Sequence, residues 1–181
     1  MSAAGFNQNR ELIGGVIEVL LQGETLVQAI SNEDYTSALP LAFNASIGGH
    51  YRHCLDHFRN LLDALPSGEL NYDCRQRGTP VETDRLVALD ATRQIRERFE
   101  RLDAELLKRP LMVTCKSSYA ASGSQSSPSV AGRELMYCVA HAVHHYALIG
   151  IMGAAIGFEL PPGFGFAPST VQHQHQAERA A

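Results

Sequence analysis

Leu135-Met-Tyr-Cys-Val-Ala-His141-Ala-Val-His144-His145-Tyr-Ala-Leu-Ile-Gly-Ile-Met-Gly-Ala-Ala-Ile-Gly-Phe158 contains no Asp, Glu, Lys or Arg. A membrane-spanning helix needs about 20 consecutive apolar residues, and this run is long enough. It also carries three imidazoles and two tyrosines, and ionisable groups inside a bilayer are costly. No Lys/Arg cluster flanks it, and no other segment reads as a span. The expectation is a helix apolar on all sides, buried in the core of a soluble bundle with no membrane partner.

Working outward, three more helical patterns precede it. The first covers about 8–30, with Leu12, Val16, Val19, Leu20, Gly23, Leu26, Val27 and Ile30 at helical spacing. Ser31-Asn32-Glu33-Asp34 interrupts it, and Pro40 marks a loop. The second covers about 44–65, with Asn44 or Ser46 as N-cap and Pro66-Ser67-Gly68 as its end. A polar connector follows, 69–78. The third covers about 80–108. There Thr79, Pro80 and Glu82 read as a capping box, and Leu86, Leu89, Ile95, Phe99, Leu102 and Leu106 form the inner stripe. Its outer face carries seven basic and seven acidic residues between Val81 and Arg109, including the pairs Arg93/Glu97, Arg96/Glu100 and Glu97/Arg101. Such a face reads as a solvated exterior. Leu111 to Tyr119 reads as a short strand and the Ser-rich stretch 120–129 as a loop, so a short hairpin is expected before the fourth helix, about 130–157. The tail 158–181 reads as irregular, with Phe158, Phe164 and Phe166 packing back on the body. The fold expected is an all-α four-helix bundle forming one domain over 1–181.

Composition narrows the function. The chain has 181 residues, 45% hydrophobic and 19% charged, enough for a sizeable core. Its net charge of -4 argues against a nucleic-acid partner, which needs a basic face. Cys54, Cys74, Cys115 and Cys138 are far apart, with no CxxC. The first ten residues lack a basic segment followed by an apolar run. Together these point to reduced thiols in a cytoplasmic protein.

The histidines carry the chemistry. Of eight, six fall in two clusters: His50, His53 and His57 in the second helix, His141, His144 and His145 in the fourth. At about 100° per residue, His50, His53 and His57 occupy one narrow sector, bordered by Cys54 and Leu61. His141 and His145, at i and i+4, share a face with Leu148 and Met152, and His144 lies on its flank. Two imidazoles at that spacing bind one metal, and a third from a facing helix leaves an open position suited to zinc, nickel, iron or copper. From spacing alone the second-helix ligand is any of His50, His53 and His57. A buried histidine network without metal is the competing reading, although a bundle core offers few partners for so many rings.

Ser46-Ile47-Gly48-Gly49-His50-Tyr51-Arg52-His53-Cys54-Leu55-Asp56-His57 resembles the second-helix motif of the DinB/YfiT-like superfamily. His141-Ala142-Val143-His144-His145 resembles its fourth-helix HxxxH motif. The segment from Phe158 to Thr170 is similar to a C-terminal stretch of one DinB-like subgroup, so the resemblance spans nearly the whole chain. It implies a four-helix bundle holding a divalent metal, zinc or nickel foremost, on His53, His141 and His145. It also implies a thiol-dependent transferase or a hydrolase acting on a small molecule, possible catalytic or orienting roles being open to His57, His50 and His144. Asp56 and Glu134 are candidate orienting carboxylates, with Glu134 expected to be solvent-exposed at the helix start. The alternatives are a non-catalytic metal- or ligand-binding bundle, and a structural homodimer with core histidines. The apolar fourth helix and the Phe-rich tail fit burial in a homodimer.

Overall fold

The computed structural model describes residues 3–120 and 122–180, so Met1 and Ser2 of the leader reading and Ala121 of the Ser-rich loop lie outside the described residues. The chain is mostly helical, with a small three-stranded sheet. Four long helices, α1 (Ala3–Ala29), α3 (Ile47–Ala64), α5 (Arg85–Glu100) and α6 (Ala131–Ala155), supply most of the core. Helix α1 packs on α5 and α6, and α3 packs on the same two. Between them lie two short helices, α2 (Asn32–Thr36) and α4 (Pro80–Thr83), and α7 (Pro168–Ala180) ends the chain.

Local chemistry explains the boundaries. The Ser46 side chain accepts from the Gly49 N–H at 3.0 Å, making Ser46 rather than Asn44 the cap of α3. The interruption at Ser31 is itself a cap, because the Ser31 hydroxyl accepts from Asp34 N–H and starts α2.

The expected third helix is broken. Asp84 sits at φ -135°, ψ 110°, outside the helical region, and its carboxylate accepts from Leu86 and Val87 N–H as the N-cap of α5. Thr79 makes no side-chain cap bond, and Glu82 instead accepts from Gly78 N–H and the Arg52 guanidinium. Helix α5 also stops at Glu100, which leaves Leu106 beyond it and exposed; within α5 Leu86 is exposed while Leu89, Ile95 and Phe99 are buried. The charged face is not wholly solvated. Arg96 pairs with Glu100 and Arg101 with Glu97, but Arg93 reaches the buried Glu24 of α1, which Arg96 also holds.

The hairpin forms from β2 (Pro110–Cys115) and β3 (Gln125–Val130). A third strand, β1 (Glu69–Asn71), pairs in parallel with β2, so the chain is not all-α. Residues 69–71 read as polar connector because a three-residue strand is too short to show an alternating pattern. The tail is helical from Pro168, and Phe164 stacks on Tyr146 at 4.7 Å between ring centres while Phe166 stays half exposed.

Two helical segments, Gln8–Ala29 and Ala131–Ala155, are long and apolar enough to cross a membrane. The first is a second such segment beyond the one expected, and 44% of its most apolar stretch is buried inside the fold. Helix α6 is not buried all round, since Met136 and Ile151 are more than half exposed. Its histidine face turns toward α3.

Candidate metal centre

Helices α3 and α6 lie against each other and bring their histidines face to face. One donor nitrogen from each of His53, His141 and His145 falls within 4.8 Å of the others, a group that could hold a metal ion. His53 Nε2 lies 2.9 Å from His141 Nε2. The ring centres of the three are 4.6 to 4.9 Å apart. Zinc holds imidazole nitrogens at about 2.0–2.1 Å, so nitrogens that share it lie roughly 3.3 Å from one another, and the His53–His141 pair at 2.9 Å would open slightly to admit it. Three neutral nitrogens from two rigid helices suit such a cation in donor type and convergence.

The other three histidines take different places. His50 Nδ1 lies 2.9 Å from His145 Nδ1 and so anchors one edge of the His145 ring. His57 is buried behind it, 4.2 Å from the His141 ring centre and 4.8 Å from Tyr72, and its Nδ1 has no hydrogen-bond partner among the described residues. His144 is exposed, with its ring edge-on to His145 at 5.5 Å.

Burial holds five of the rings neutral, those of His50, His53, His57, His141 and His145. Burial, then the neighbouring His57, His145 and His141, push His53 down to about 2. Burial and His141 lower His57 to about 3, and burial, His141 and His50 lower His145 to about 4. Burial also lowers His141 and His50, with His144 assisting in both. A neutral imidazole keeps the lone pair that a metal needs.

The candidate carboxylates do other work. Asp56 is salt-bridged to Arg52, with Arg59 at 3.7 Å, and Arg52 also holds Glu82 at 3.0 Å. This network fastens α4 to α3. Gly48 permits the fit, because a Cβ there would collide with the Glu82 backbone and the Tyr35 ring. Glu134 is buried at 1% exposure, contrary to expectation, and accepts from Tyr72 at 2.9 Å, Ser129 at 2.6 Å and Arg133 at 2.7 Å. Its connection to the cluster runs through the Tyr72 ring on His57.

Sequence reasoning missed Arg75. The strand β1 and the Tyr72 N–H to Thr114 bond lead the 72–79 loop across the open side of α3. There an Arg75 N–H donates to His53 Nδ1 at 3.0 Å. Guanidinium groups only donate, so His53 Nδ1 is the acceptor and the neutral ring carries its proton on Nε2, toward His141. His53 would hold a cation through Nε2 only with its ring proton on Nδ1, and so without the bond from Arg75. Nothing local in Asp73-Cys74-Arg75-Gln76-Arg77 signals this contact, which spans 22 residues.

No family model matches the chain. FK506-binding protein 5 of Rhizopus delemar is 39% identical over 104 residues, 58% of this chain. The chain spans 27% of the length of that relative. Among solved structures, a DinB-like protein of Bacillus subtilis, YjoA, superposes with a TM-score of 0.60 at 17% identity, over 83% of this chain and 95% of that one. The chain has the fold of a DinB-like protein.

Proposed function

We propose that this protein is a metal-dependent enzyme acting on a small molecule, with His53, His141 and His145 holding one divalent cation, zinc or nickel, between α3 and α6. The convergence of three imidazole nitrogens from two helices within 4.8 Å carries the reading. With only these three residues to hold it, such a cation would have room for substrate or water and would supply Lewis-acid chemistry. Around it, His50 fixes the orientation of the His145 ring, and His57 packs behind His141. Transferase chemistry on a thiol, or hydrolysis, fits this open three-nitrogen arrangement. The same reading takes the protein to be cytoplasmic, and a homodimer joined through the exposed apolar residues of α6 such as Met136 and Ile151.

A second reading has an observation of its own. The Arg75–His53, His53–His141 and His50–His145 contacts satisfy several imidazoles without any cation, as a core histidine network would. Elemental analysis after reconstitution with zinc or nickel separates the two. The metal reading expects about one ion per chain. It expects His141→Ala and His145→Ala to abolish that ion and His53→Ala to weaken it sharply. Wild-type protein that stays metal-free after reconstitution leaves the histidine network.

A further inference from the structure

We propose that Arg75 and Lys116 form an oxyanion-binding subsite beside the histidine cluster, so that the substrate is a small molecule bearing a carboxylate or phosphate. As a statement about substrate, this rests on the cluster being the reaction centre.

The two cations line one polar basin of about 460 Å³, together with Asp73, Ser117, Ser118 and Tyr119. Its banks are the 72–79 loop and the turn after β2. They are fastened to each other by the Tyr72–Thr114 backbone bond and by the Ser124 hydroxyl, which donates to Asp73 Oδ2 at 2.8 Å. The one carboxylate of the lining is thereby engaged with a hydroxyl. Among the described residues, neither Arg75 nor Lys116 has an acidic group within ion-pair distance. That is unlike Arg52, Arg93, Arg96, Arg98 and Arg101, which all pair with carboxylates.

Arg75 joins the basin to the cluster, because it lines the one and its guanidinium touches His53 of the other at 3.0 Å. Once a cation occupies His53 Nε2, Nδ1 carries the ring proton and no longer accepts from Arg75. The guanidinium is then released next to Lys116, where its planar fork matches a carboxylate or phosphate edge in a bidentate fashion. A substrate with its reacting group at the cation and its oxyanion in the basin would be gripped at two points.

The test is calorimetric titration of inorganic phosphate into the full chain, metal-free and zinc-loaded, with zinc content measured on the same samples. Phosphate is expected to bind the wild type, more tightly in the zinc-loaded form. Arg75→Gln and Lys116→Gln are each expected to weaken it at least about tenfold. No phosphate binding in either form of the wild type overturns the subsite. So does binding that survives undiminished in both variants, as phosphate sitting directly on the zinc would. Failure of zinc to bind sinks the metal reading separately, and the metal-free titration then decides the subsite by the same variants.

Discussion

Imidazoles in this protein are divided by what their second nitrogen meets. His53 is held by Arg75 and His145 by His50, whereas the Nδ1 of His57 is buried without a partner among the described residues. That division sets expected outcomes for single substitutions. Arg75→Leu removes both a positive charge and the hydrogen bond that holds His53 in the wrong tautomer for Nε2 coordination. Zinc affinity, measured by chelator competition, should therefore rise several-fold, and a fall would contradict the tautomer assignment. His57→Phe should leave the metal stoichiometry at about one per chain, as the three-ligand arrangement requires. Loss of the metal in that variant would mean that His57 is a ligand. His57 was legible as a member of the cluster, because its spacing from His50 and His53 puts all three on one helix face. Its lack of a partner was not, since burial of one nitrogen depends on Tyr72 and Tyr137 arriving from elsewhere in the chain.

Elements are positioned by contacts between segments far apart in sequence. Gly48 lies where α4 crosses α3, and Gly48→Ala forces a Cβ against the Glu82 backbone. Overpacking of this kind costs about 1–3 kcal/mol, so thermal unfolding should fall by several degrees. An unchanged melting temperature would show that α4 is free to shift. The four long helices could be read from periodicity because each buries a continuous apolar stripe, as Ile47, Leu55, Phe58 and Leu61 do in α3. The break at Asp84 could not, because Val81-Glu82-Thr83 continues the helical pattern and the cap bonds that end it are local to the folded backbone. Glu134 was misplaced for a related reason. A carboxylate at a helix start is usually solvated, and what buries this one is Tyr72, 62 residues away. The strand β1 and the loop carrying Arg75 owe their positions to pairing with β2, across about forty residues of intervening chain.

The whole molecule stores a pH dependence in its histidine core. His57 and His145 titrate near 3 and 4 when folded, against 6.5 for the free side chain. Between 6.5 and about 4 the unfolded chain therefore binds more protons, and stability falls as pH falls through that window. The contribution from buried His57 reaches about 1.4 kcal/mol per pH unit. The urea midpoint of the metal-free protein should thus be lower near pH 4.5 than near pH 7.5, and a flat profile would contradict neutral, desolvated rings. The same shift extends metal retention to lower pH than an isolated imidazole would allow, because protons compete less well for the cluster. At this scale the proposed homodimer also becomes testable, since Met136→Glu with Ile151→Glu should yield a monomer in sedimentation if α6 is the interface. The most direct test of the account is X-ray absorption on the zinc- or nickel-loaded protein. It predicts three imidazole nitrogens at about 2.0–2.1 Å around the metal, falling to two in His53→Ala. A metal coordinated by a single imidazole, or one whose shell is unchanged in that variant, would contradict it.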